Sequence, residues 1–444
     1  MLTRGGKITI LIHIMENELA RELNEQLRGT APGELLSDLG RRLYFPKGII
    51  AQSGEAKKFG KTANATIGTT VVEGKHLMLP SIKKFIPELT ADQLVAYAPT
   101  AGLQNLREDW KGFIIKKNPL LEGKRFSLPV VVPGLTAGIS YLADLFVDDT
   151  KPLVAANPSW DNYALIVEAR RGSRLVQFDI FSDGKFNLAG LEEAMRQQAA
   201  SGSVRVILNF PQNPSGYSPT HAESERIVSI VREIAEGGAK VMVWCDDAYF
   251  GLNYEEGIEK QSLFAYLCDI HPNVLAVKID GPTKEDFAWG FRTGFLSFGC
   301  KGLTDEQYEA LQKKVMGAIR SSVSCAATPS QTLILKSFDS DTLEQEKNAY
   351  TEILSRRYKV VRNFVSSHES QFIKPLPFNS GYFMAFDTMN INAEELRKKL
   401  LHDKGIGTIS IDSRTLRVAF SSLDEEKIEG VYQAIYDTAD ELGA

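Results

Sequence analysis

Seven short apolar runs constrain this chain more than any other feature. They lie at 128–132, 152–156, 174–178, 204–209, 241–245, 274–279 and 294–298. Helical patterns fill most of the intervals, at 136–146, 160–171, 188–199 and 219–235. Strands that alternate with helices imply an α/β fold with a mostly parallel sheet. The runs are nearly continuous in apolar residues rather than alternating, so the sheet is expected to be buried on both faces. Sheets of that kind bind ligands at the carboxyl ends of their strands. Residues 342–368 then read as one long helix without internal Pro or Gly, suited to link two domains. The remainder, 372–444, carries strand-like 382–386 and 415–420 and helices near 393–403 and 424–441. It reads as a smaller α/β domain completed by the N-terminal segment. The expected division is an N-terminal segment 15–75 that joins the small domain, a large domain 76–345 and a small domain 346–444.

Composition narrows the class. The chain has 444 residues, enough for two domains and a large core. A net charge of -5 without a basic block gives no reason to expect nucleic acid or an anionic membrane as partner. No apolar run approaches the ~20 residues of a membrane span. Residues 7–15, KITILIHIM, resemble a short signal core, but the acidic MENE that follows argues against export. Met15 is the expected natural start, and a native chain beginning at Met1 would contradict that. Cys245, Cys268, Cys300 and Cys325 are far apart with no CxxC pair, which fits free thiols in a reducing, cytoplasmic setting. The histidines form no HxxxH or HxH pattern, so no metal site is expected. In the N-terminal region, residues 16–29 read as a helix with Leu19, Leu23 and Leu27 at i, i+4 spacing. Residues 61–70, KTANATIGTT, suit a loop that approaches a ligand.

Candidate chemistry clusters at the strand ends. In KIDGPTKEDFAWGFRTGF, residues 278–295, Lys284 follows one apolar run and Arg292 precedes the next. Lys284 is either a solvated loop cation or an amine that forms a Schiff base with an aldehyde cofactor whose phosphate Arg292 holds. NFPQNPSG, residues 209–216, sets Asn213 on a rigid turn, where its amide can donate to a ring hydroxyl. WCDDAYFG, residues 244–251, places Asp246 and Asp247 directly after a strand. A carboxylate that faces inward there needs a cationic partner, such as a protonated pyridine nitrogen. Tyr249 can donate to the same ring's oxygen.

These segments in this order resemble the class I/II aminotransferases of the fold-type I pyridoxal-phosphate enzymes, over about residues 40–440. The aspartate/aromatic aminotransferases look most similar. The resemblance implies pyridoxal 5'-phosphate as cofactor and Lys284, Asp246 and Tyr249 as catalytic residues. From its motif DxAY it gives Asp246 the pyridine nitrogen and Tyr249 a ring oxygen. From NPSG it gives Asn213 the ring oxygen, and from NPSW, residues 157–160, it gives Trp160 the ring face. From PGLTAG, residues 133–138, it makes Gly134, Leu135 and Thr136 the phosphate turn at a helix N-terminus. Arg292 follows Lys284 by eight residues, with Gly290 and Gly294 flanking it, and holds the phosphate. In YAPTAGL, residues 97–103, Tyr97 reaches the phosphate of a partner subunit, which implies a homodimer. Arg417 in LRVAFSS binds the substrate α-carboxylate, and Gly68 in NATIG belongs to a lid segment. Trp160 and Asn213 also border the substrate. Two departures stand out. The family's hydroxyl three residues before the lysine is Gly281 here, leaving Thr283 as the nearby replacement, and the phosphate turn is less rich in serine than usual.

The implied activity is transamination between an L-amino acid and a 2-oxo acid, with aspartate, glutamate or an aromatic donor favoured. The alternatives are lyase or decarboxylase chemistry on the same fold and a non-catalytic sensor domain. The sensor would need a basic N-terminal DNA-binding module, and residues 15–40 are not basic. Arg320, four residues before Ser324, matches the spacing of an arginine that reaches a partner's site and pairs with a distal carboxylate. It is equally read as a helix-end cation beside the last carbonyls.

Overall fold

The computed structural model describes residues 17–30, 34–46 and 48–444. The KITILIHIM run, the start at Met15 and the pair Pro32–Gly33 lie outside the described residues. All seven apolar runs form strands of one sheet: β1 Val130–Val132, β2 Leu153–Asn157, β3 Leu175–Asp179, β4 Ser203–Asn209, β5 Lys240–Asp246, β6 Val274–Asp280 and β7 Gly294–Gly299. Their order is β1-β7-β6-β5-β4-β2-β3. The pairs β6–β5, β5–β4, β4–β2 and β2–β3 are parallel, and β7 alone runs antiparallel, to both β6 and β1.

Both faces of this sheet are covered. Val206, Val243, Cys245 and Ala276 pack on one side with Leu106, Trp110, Ile227 and Phe264. Ile207, Trp244, Val277 and Ile279 pack on the other with Ile139, Leu142, Val167 and Ile319. Removing each such side chain from water contributes about 1.5–3 kcal/mol, so these layers hold the strand ends in place. The covering helices have local stop and start signals. Helix His221–Glu236, for example, begins with a capping box in which Thr220 and Glu223 satisfy each other's backbone donors.

Three helices bear on the site: α1 Leu135–Phe146, α2 Pro282–Glu285 and α3 Leu343–Ser367. The long helix α3 leads to a four-stranded antiparallel sheet, ordered Lys374–Pro375, Met384–Asp387, Thr415–Val418, Ile409–Ser410. Helices Ala393–Asp403 and Ile428–Gly443 pack with it around Phe386, Leu400, Leu416 and Tyr432. The N-terminal chain touches both bodies. Ala63–Asn64 pairs in parallel with Ile406–Gly407, and Gln52 exchanges hydrogen bonds with Ser410. Arg42, by contrast, donates to the Ala169 carbonyl beside the large sheet, at 3.1 Å.

One element differs in kind from its expectation. The 160–171 interval, expected as a single helix, is a short α turn Asn162–Ala164 followed by a π-helix, Leu165–Arg170. Its pattern of buried Ile166, Val167 and Ala169 does not distinguish the two windings. The wider winding of the π-helix is characteristic of segments beside functional sites. Among the described residues, no helix is long and apolar enough to cross a membrane.

Candidate active site

The segments at the carboxyl ends of β1, β2, β4, β5 and β6 converge on a cavity of about 110 Å³. Leu135, Thr136, Trp160, Tyr163, Asn209, Asn213, Asp246, Tyr249 and Lys284 are among its lining residues. Each arrives for a local reason. β1 runs into Gly134, whose φ of 86° ends the strand and starts α1. The first N–H groups of α1 have no intrahelical acceptor, which makes that end an anion site. A Cβ on Gly134 would lie 2.4 Å from an Arg292 guanidinium nitrogen, so only glycine lets the arginine reach the turn. Thr283, one residue before Lys284, is buried and its Oγ1 has no hydrogen-bond partner.

The missing hydroxyl at Gly281 has a steric cause. A Cβ there would lie 2.9 Å from the Thr293 carbonyl oxygen and 3.0 Å from Gly294 Cα. A Cβ on Gly294 would in turn meet the Gly134 carbonyl carbon and the Leu135 nitrogen at 3.0 Å. Backbone packs on backbone here, and any side chain at 281 would push the lysine turn away from the start of β7. Leu135, expected to contribute only its backbone, also packs its side chain against Gly281 and Gly294.

Asp246 ends β5 and is buried. One carboxylate oxygen accepts from the Tyr163 hydroxyl, and the other accepts from the Ala248 N–H at 3.2 Å. Burial raises its pKa, with Tyr163 and Lys284 opposing. Asn209 donates to the Asp246 carbonyl at 2.8 Å and accepts from the Asn213 N–H at 2.9 Å, which ties the β4 and β5 ends together. Trp160 stands edge-on to Tyr163, with ring centroids 5.4 Å apart. Lys284 Nζ lies 4.6 Å from the Tyr249 ring centroid.

Arg417 comes from the small sheet and is 2% exposed. It donates to Asn213 Oδ1 at 2.9 Å and to the Thr66 carbonyl at 2.7 Å, and its guanidinium lies 4.2 Å from the Phe383 ring centroid. Its Nε has no partner. Both acceptors are neutral, so a buried cation stands at the cavity edge without a bonded anion. Burial lowers its pKa to about 10. Gly68 packs against the tip of the Phe383 ring, where a Cβ would lie 2.5 Å from Cζ.

The comparisons with known proteins decide the family. The family model "Aminotransferase class I and II" matches residues 65–435. The chain belongs to the class I and II aminotransferases. Among curated relatives, this aminotransferase is 20% identical over 355 residues to the aspartate aminotransferase of Sulfurisphaera tokodaii, covering 76% of this chain and 80% of that one. It is 23% identical over 226 residues to a probable aspartate/prephenate aminotransferase of Rickettsia bellii, covering 50% and 53%. Its fold is similar to that of an aminotransferase from Anaerococcus prevotii, with a TM-score of 0.78, 22% identity and coverage of 90% and 97%. It is also similar to the kynurenine aminotransferase of Pyrococcus horikoshii, with a TM-score of 0.76, 17% identity and coverage of 93% and 98%. The cofactor of the family is pyridoxal 5'-phosphate. The site fits it: the Gly134 turn with Arg292 and the unpartnered Thr283 hydroxyl suits a phosphate, and the Asp246 carboxylate suits a pyridinium.

Of the residues singled out from sequence, Tyr97 and Arg320 lie away from this cavity. Tyr97 is 92% exposed, and Arg320 is the exposed last residue of helix Asp305–Arg320. Tyr163 and Asn209 were not anticipated. A tyrosine three residues after Trp160 reads as core from sequence, and only the fold brings its hydroxyl to Asp246.

The Lys284 environment makes a direct prediction for the cofactor-free aminotransferase. Burial lowers its pKa to about 8, with Asp246 opposing and Arg292 and Arg417 adding to the shift. Modification by an amine-selective acylating reagent should follow a midpoint near that value, because only the neutral amine reacts. A midpoint above 10, where surface lysines titrate, would contradict the buried setting.

Proposed function

We propose that the residues around this cavity carry out transamination, and that the reading rests above all on Arg417. A guanidinium buried without an anion is costly, and a substrate α-carboxylate is the group that would relieve it. Pyridoxal 5'-phosphate, when bound, supplies an aldehyde for the substrate nitrogen and a pyridinium ring that accepts the electron pair released at Cα. Lys284 Nζ holds the cofactor at rest and moves the proton that leaves the substrate Cα. Asp246, oriented by Tyr163, keeps the ring nitrogen protonated. Arg292, Thr283 and the N–H groups of Leu135 and Thr136, following Gly134, take the phosphate. Asn213 uses Oδ1 on Arg417, which leaves its amide donors, with the Tyr249 hydroxyl, for the ring oxygen. Trp160 covers the ring face. Arg417 grips the carboxylate and thereby orients the Cα–H bond, and Gly68 lets the lid segment close on Phe383.

Residues 76–345 and 346–444 serve as large and small domains, with 15–75 completing the small one. Two copies act as a cytoplasmic homodimer. The exposed Val95 and Tyr97, at 81% and 92%, supply an apolar face for the second copy, and Tyr97 reaches its phosphate.

The donor is aspartate, glutamate or an aromatic amino acid. A panel of amino acids assayed with wild type and Arg320→Ala tests this. If Arg320 pairs with a distal carboxylate in the partner's site, kcat/KM for aspartate and glutamate falls about 30- to 4,000-fold, with phenylalanine and alanine spared. An equal, small effect on all four makes Arg320 a helix-end residue and shifts the preference to neutral or aromatic donors.

A further inference from the structure

Behind Asp246, on the other face of the sheet, lies a buried charge cluster that the chemistry above does not use. Strands β5 and β6 pair in parallel, with Cys245 opposite Lys278 and Asp246 opposite Ile279. Side chains alternate faces, so Asp246 points to the cavity side while Lys278 points away from it. Lys278 is 1% exposed. It is ion-paired with Asp247, the residue after Asp246, and lies 3.5 Å from Asp280, four residues before Lys284. Ser262 donates to Asp247 at 2.6 Å, Trp110 donates to Asp280 at 3.3 Å, and the Phe250 ring centroid lies 4.5 Å from Lys278 Nζ.

The cluster continues under the lysine turn. Glu285 and Asp286 follow Lys284 directly. Glu285 is paired with Lys117, and Lys347 on α3 lies 3.7 Å from Glu285 and 2.5 Å from Asp286. Lys278, Lys117 and Lys347 thus face Asp247, Asp280, Glu285 and Asp286, one carboxylate in excess. Burial raises Asp280 to about 6, against Lys278, while Lys117 and Lys347 overcome burial and hold Glu285 down to about 2.

Apolar residues in place of the whole set, Lys278 with Asp247 and Asp280, would be the less costly choice for stability, since Cys245 and Ala276 on the same face are core. What the charges add is a fixed relation between two chain ends. The β5–β6 register ends at Asp246 opposite Ile279, and the Asp247 N–H donates once more to the Ile279 carbonyl at 2.9 Å. Beyond that point the chains part, one carrying Asp246 and the other Lys284.

We propose that Lys278 is a positioning residue for the transamination site: by clamping Asp247 and Asp280 it fixes the Asp246 carboxylate relative to the Lys284 amine. This rests on the site reading given above, and wild-type turnover and lysine labelling test that reading separately. The test is Lys278→Met in the holoenzyme. The expected result is cofactor bound one to one and kcat lowered on the order of tenfold to a hundredfold. KM for the amino donor should change by less than about twofold, because Arg417 belongs to the other sheet. The pH midpoint of the bound cofactor's visible absorption should move by roughly half a unit or more. A folded variant with a lowered Tm but unchanged kcat and midpoint overturns the proposal. If Lys278→Met does not fold, K278M/D247N/D280N, which carries none of the three charges, decides it by the same readouts. Failure of both to fold makes the cluster a folding element and also overturns it.

Discussion

Lys284→Ala should bind pyridoxal phosphate yet lose turnover by on the order of 10⁴-fold, the upper end of what a positioned proton carrier contributes. The phosphate turn at Gly134, Arg292 and Thr283 is independent of the lysine side chain, so affinity for the cofactor survives in part. What disappears is the amine over the Tyr249 ring, which lines the cavity beside Asp246. Burial lowers the pKa of this amine in the cofactor-free protein, which favours the neutral form that can accept a proton. Borohydride reduction of the wild-type holoenzyme followed by peptide mapping checks the same assignment, with label expected on Lys284. Label on another lysine, or an alanine variant within tenfold of wild type, would remove Lys284 from the chemistry.

The second large effect is expected at Arg417. Arg417→Lys keeps a cation but loses the planar fork that contacts Asn213 and Thr66 and leaves Nε spare for the proposed carboxylate. Leaving a buried carboxylate imperfectly paired costs about 2–5 kcal/mol. That corresponds to about 30- to 4,000-fold in kcat/KM for every α-amino acid, whatever its side chain. An amine without a carboxylate should react equally slowly with both proteins. A variant that discriminated between acidic and neutral donors, rather than slowing all of them, would place Arg417 on the side chain and not on the α-carboxylate.

The strands were legible because each is a compact apolar run buried on both faces, and the long helix because nothing interrupts it. β6 shows the limit of that logic. Lys278 sits inside an apolar run, yet it is enclosed by carboxylates from Asp280 on its own strand and from Asp247, 31 positions away. The π-helix at Leu165–Arg170 has a burial pattern an α-helix could share, so its winding is not legible in the sequence. At the site, strand-end residues such as Asp246, Asn213 and Lys284 were legible through their turns. Tyr163 was not, because its role depends on a hydroxyl meeting a carboxylate 83 positions away. Gly281 was noticed as a missing hydroxyl, and only the backbone contact with Thr293 and Gly294 gives the reason.

The most direct test of transamination follows the nitrogen. With a ¹⁵N-labelled amino acid and unlabelled 2-oxoglutarate, labelled glutamate should form in a one-to-one ratio with the oxo acid derived from the donor. Labelled ammonia, or CO₂ released in step with donor consumption, would contradict it and assign the site to lyase or decarboxylase chemistry.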